Sequence, residues 1–119
     1  MQENYGLCRN GNRIKIDGIL NELEFPSEDH AKRFEKIYLM LARQAVEEIL
    51  QDVVKQNKQK RGNYDIAMLY FRGGGLKSGD RRGRNRIIEE AKRLYELNED
   101  IEFLKEALGR GVKYLYLTS

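Results

Sequence analysis

Residues 71–86 read FRGGGLKSGDRRGRNR, with five glycines, six basic residues and one acid. Such a mixture suits one task above others, the holding of an anion. Gly73, Gly74 and Gly75 let a backbone come close to a ligand and present its amides, while Arg72, Lys77, Arg81, Arg82, Arg84 and Arg86 supply positive charge and Ser78 a hydroxyl. Arginine dominates lysine here, and its planar fork matches phosphate oxygens better than an ammonium does. The stretch is not a known nucleotide fingerprint. No glycine is followed by Lys-Ser or Lys-Thr, and in GGGLKSG the residue Ser78 stands where G-x-G-x-x-G requires its third glycine. A solvated coat is the ordinary use of a charge run. Against that use stand the interleaved glycines, the preference for arginine and the expected place of the loop in the fold.

The charge is concentrated, not spread. Residues 1–54 hold seven Lys/Arg and ten Asp/Glu, residues 55–86 hold ten and two, and residues 87–119 hold five and seven. A net-acidic body thus brackets a middle segment of net +8, a focused footprint that asks for a partner of opposite sign. Lys55, Lys58, Lys60 and Arg61 extend it beyond the loop, more cations than a small ligand can use. Nucleic acid, DNA or RNA, is therefore the first expectation, because a polyanion can follow such a track and arginine also stacks on bases. Two alternatives stay open: a small nucleotide or other phosphate-bearing ligand in the loop alone, and an acidic protein surface on which the loop docks.

Other chemistry finds little support. His30 is the only histidine and lies at the start of a long helix with no partner to make it a general base, so it reads as a surface or capping residue. Asp17, Glu22, Glu24, Glu28 and Asp29 are close in sequence but lack the histidines or recurring spacing of a metal site. Tyr70, Tyr95, Tyr114 and Tyr116 fall on apolar faces and read as core aromatics. No catalytic residue, cofactor or metal is assigned, and the expectation leans away from an enzyme. Cys8 is the single cysteine, expected to be a half-buried side chain. The longest apolar run, IYLMLA, is far too short to cross a bilayer, and the first ten residues lack an export signal, so a cytoplasmic protein with no membrane partner is expected.

The elements that must carry the loop follow from pattern. With 119 residues the chain is expected to form one domain, residues 1–119. Residues 1–25 predict a hairpin turning at Asn10-Gly11-Asn12. Residues 27–56 predict a long helix capped by Ser27, with Ala31, Phe34, Ile37, Tyr38, Leu41, Ala45, Ile49 and Val53 on one stripe. Leu39, Met40 and Val46 lie off that stripe, so the helix either runs through the centre of the core or lends its spare face to a second copy of the chain, forming a homodimer. Residues 64–117 predict a unit of strand, Gly/Arg loop, two helices and strand. In YDIAMLYF both alternating sets are apolar, as in an interior strand, and VKYLYL closes the unit as a second strand. A helical crossover between them implies that the two are parallel. The expected fold is accordingly α/β or α+β, and the basic loop leaves the carboxyl end of a strand, where open sheets bind ligands. The linker cations would then lie about 20 Å from the loop, at the strand's other end.

Overall fold

The computed structural model describes residues 4–56, 62–77 and 79–97. In chain order these form β1 (Leu7–Asn10), β2 (Arg13–Ile16), β3 (Leu23–Glu24), α1 (Glu28–Gln56), α2 (Asn63–Arg72) and α3 (Arg84–Leu97). The protein is thus a mixed α/β fold, a small antiparallel sheet in the order β1-β2-β3 packed with three helices, one of them long.

The hairpin forms at the expected place. Asn10 pairs with Arg13, leaving Gly11 and Asn12 as a two-residue loop, and Gly11 has φ +62°, the sign that glycine adopts without penalty at the first central position of a tight hairpin turn. Leu7, Ile14 and Ile16 turn inward with Arg9 beside them, and Cys8 and Lys15 turn out. Cys8 is therefore exposed, not half-buried. Arg9 lies on the inner side but keeps its charge paired, with Nε donating to Glu35 at 3.2 Å and Nη1 to Glu28 at 3.3 Å. Those two carboxylates belong to α1, so the pair fastens the sheet to the helix.

Helix α1 begins as its residues dictate. The Ser27 hydroxyl accepts from the His30 amide at 3.3 Å and meets His30 Nδ1 at 2.7 Å, so the one histidine completes the cap. Ala31, Phe34, Ile37, Tyr38, Leu41, Ala42, Ala45, Val46, Ile49 and Val53 are buried along 29 residues. The sheet, α2 and α3 all pack on this one helix. Val46 is buried off the main stripe, and Leu39 and Met40 are partly buried against the core.

The sequence pattern fails at YDIAMLYF. These residues form α2, not a strand, and α2 packs Ala67, Met68 and Phe71 against α1 and the core. Those three, with Tyr64, recur at the three- and four-residue steps of a helix; an apolar run of this length fits either period. The sheet therefore has no parallel pair among the described residues, and its third strand is the short Leu23–Glu24 segment before α1. The helix expected near residues 99–108 and the strand expected at 112–117 lie outside the described residues.

Two aromatic clusters pack beside the first half of α1. Tyr95 of α3 meets Phe25 at 5.2 Å and Phe34 at 6.2 Å between ring centroids, and Arg33 lies 5.3 Å above its ring. Near the middle of α1, the Tyr38 hydroxyl donates to the Tyr5 carbonyl at 2.8 Å. Tyr5 packs edge-on against Phe71 of α2. No helix among the described residues is long and apolar enough to cross a membrane.

Candidate anion-binding site

The Gly/Arg segment joins α2 to α3; it does not leave a strand, as α2 precedes it. Helix α2 stops at Gly73, whose amide donates to the Leu69 carbonyl at 2.9 Å, and the Gly75 amide then donates to the Tyr70 carbonyl at 2.6 Å. The chain reverses there. Gly75 has φ +105°, and a Cβ at that position would overlap the side chain of Asp80, so both backbone and space demand glycine.

Asp80 is the centre of the loop. It is only 6% exposed, and its carboxylate accepts from the Leu76 amide at 3.0 Å, the Arg82 amide at 2.9 Å, Arg82 Nε at 2.9 Å and Arg82 Nη2 at 2.8 Å. Burial by itself would raise the Asp80 pKa, but hydrogen bonds from the Arg82 side chain, the Arg82 and Leu76 amides and the charge of Arg82 outweigh it and hold the group at about 2. The Asp80 carboxylate in turn raises the pKa of Arg82 against the opposing effect of burial, and Asp52 adds to that rise. Arg82 Nη1 donates to Asp52 Oδ2 at 2.6 Å. Asp52 lies in the last turns of α1, so one guanidinium ties the loop to the long helix.

Two amides and an arginine of the loop do surround an anion, although the Gly73 and Gly75 amides are spent on α2 carbonyls. The anion is the protein's own carboxylate. Arg82 and the amides of Leu76 and Arg82 are thereby committed to folding, and among the expected site residues Arg82 becomes a structural one.

The remaining cations sit around this closed loop. A Cβ on Gly83 would lie 2.6 Å from the Gly74 carbonyl carbon, so the two limbs of the loop touch backbone to backbone. Arg72 is two residues before Gly74, and Arg84 and Arg86 are one and three residues after Gly83, which confines their Cα atoms to within about 18 Å of one another. Arg72, Lys77, Arg81 and Arg86 are exposed, as are Gly73 and Gly74, whereas Gly75 and Arg84 are half-buried. Ser78 lies outside the described residues. The Arg84 guanidinium lies over Gly18, just after β2, and its Nε is buried with no hydrogen-bond partner among the described residues. Arg86 comes within 3.8 Å of Glu89 in an exposed pair, a contact of little energy.

Helix α3 starts against its own dipole. Its first turn contains Arg84 and Arg86 and no acid, although the N-terminal end of a helix carries partial positive charge and favours anions. Gly83 precedes it without a side chain, and its carbonyl accepts from the Ile87 amide at 3.0 Å. Basic side chains, a helix start and the neighbouring end of α1 therefore converge. Lys55 is one turn past Asp52, so the last turn of α1 lies beside the loop; Lys58, Lys60 and Arg61 lie outside the described residues.

Asp52, Gly83 and Tyr70 are the residues of this region that the sequence did not single out for the site. Asp80 carried a signal, as the one acid in a segment with six cations. Tyr70 was expected in the core but is 38% exposed at the base of the loop; Tyr95 is partly buried against the core as expected, and Tyr114 and Tyr116 lie outside the described residues. Comparison with protein-family models, curated proteins and solved structures finds no match for this chain.

Proposed function

We propose that this protein is a non-catalytic, cytoplasmic binding protein for a phosphate-bearing ligand, and that the ligand is nucleic acid. The observation that carries the proposal is the close contact of Gly74 with Gly83, which gathers Arg72, Arg84 and Arg86 beside an acid-free helix start, with Lys77 and Arg81 on the same loop. Phosphate oxygens complement both these cations and the positive end of the α3 dipole. The commitment of the loop's inner donors to Asp80 favours a long polyanion over a compact nucleotide. The amides of Leu76 and Arg82 are occupied by Asp80 and closed to a mononucleotide, whereas a nucleic-acid backbone can run across the exposed cations and continue toward Lys55.

The test is a salt titration of binding to labelled single- and double-stranded DNA and RNA, comparing wild type with Arg72→Ala plus Lys77→Ala. Arg82 is avoided because its removal disturbs the fold. Affinity is expected to fall log-linearly with salt, and the double variant is expected to flatten the slope by about 1.4 to 1.8, one counterion term for each lost phosphate contact. Absence of binding to every probe at low salt rejects the proposal. Affinity that survives high salt points instead to an acidic protein partner.

A further inference from the structure

Helix α2 has two apolar faces; the core uses one fully and reaches only Ile66 of the other, which is partly buried. Ala67, Met68 and Phe71 turn inward, and Ile66, Leu69 and Tyr70 form a second set at i, i+3 and i+4 spacing. Leu69 is 66% exposed and Tyr70 38% exposed. This outer strip is narrow, with one leucine and one tyrosine well exposed, far below the roughly 800 Å² per partner of a stable protein interface. Its position is informative. The Tyr70 carbonyl accepts from the Gly75 amide, which fixes Tyr70 at the foot of the loop. Arg72 follows two residues later, on the side of the helix where Leu69 lies. The strip is thus bordered by the loop's cations, and the one acid of α2, Asp65, lies in its first turn.

We propose that Tyr70 is a stacking platform for an unpaired base and that the nucleic acid recognised by this protein is single-stranded. The inference rests on the function proposed above and narrows it. A base with a free face can lie on the tyrosine ring while the phosphates on either side reach Arg72 and Lys77, and Leu69 offers apolar contact to the sugar. The bases of a duplex are already stacked on one another and have no free face to give. Charge favours this occupant over a second copy of the chain, which would bring a second set of loop cations against the first.

The chain contains no tryptophan, so Tyr70→Trp introduces a single fluorescent reporter at the strip. Its emission is expected to be quenched by oligo(dT) or oligo(U) of twenty nucleotides and to change little with a duplex of the same length. Single-strand affinity is expected to fall roughly 5- to 150-fold in Tyr70→Ala and to stay within about twofold in Tyr70→Phe. Equal binding of single strand and duplex, with no quenching and no effect of Tyr70→Ala, overturns the stacking role while leaving phosphate recognition by the loop standing. Failure of both probes to bind at low salt overturns the two proposals together. If Tyr70→Ala lowers the melting temperature markedly and leaves single-strand affinity unchanged, the strip is covered by protein and the inference is wrong.

Discussion

Replacing Asp80 by alanine tests the view that the Gly/Arg loop is built around its own carboxylate. The substitution removes four hydrogen bonds, two of them from the Arg82 guanidinium and two from backbone amides. Breaking a buried ion pair by deleting one partner costs about 3–5 kcal/mol, mostly because the other charge is stranded. Here Arg82 keeps Asp52, and its side chain is 19% exposed, so part of the stranded charge regains solvent. That places the expected loss at the lower end, about 3 kcal/mol, a large share of the 5–15 kcal/mol that holds a typical domain together. Urea unfolding followed by circular dichroism at 222 nm, at neutral pH, measures it. Because Asp80 and Arg82 act on one another, the double variant Asp80→Ala, Arg82→Ala is expected to fall short of the sum of the two singles by about 1–3 kcal/mol. A loss below about 0.5 kcal/mol for Asp80→Ala, the size of an ordinary surface change, refutes the reasoning, as does strict additivity.

Two further outcomes follow from the same geometry. The Asp80 pKa is depressed in the folded state from an ordinary 3.8 to about 2, so its stabilisation is full above pH 4 and drains away as the pH falls from about 4 to about 2; the shift corresponds to about 2 kcal/mol, and an acid titration of stability in which Asp80→Asn loses as much as wild type across that window contradicts it. Gly83→Ala forces a methyl group into the Gly74 backbone, which cannot yield as a side chain could, so the limbs must part at a cost of about 2 kcal/mol; the melting temperature is expected to drop by roughly 10 °C, and a drop under about 2 °C contradicts the close contact.

The sequence was most legible where one local signal sufficed. Gly11 marked the hairpin turn, and Ser27 followed by a stripe of apolar residues marked α1 nearly to the residue. Both rest on chemistry within a few residues of each other. It misled at 64–71 because an octamer apolar on all sides satisfies a strand's alternation and a helix's steps equally well. The residues that decide between them, Ala67, Met68 and Phe71, are chosen by the flank of α1, which local pattern does not contain. The loop's composition suggested an anion cradle for a ligand, and the anion that Arg82 and two amides hold in the fold is the chain's own Asp80. Asp80 lies close in sequence to its donors and could have been inferred from its isolation among cations; Asp52 lies thirty residues from Arg82, and only the folded chain joins them.

The bond between Asp52 and Arg82 bears on what a ligand would encounter. Five glycines in sixteen residues would ordinarily give a segment with many conformations, each of which binding would have to suppress at an entropic cost of about 1–2 kcal/mol per residue. In this protein, that ordering is completed when the helices assemble. A partner arriving at the loop would meet limbs already joined through Asp80 and Arg82, so less of its contact energy would be spent on ordering them.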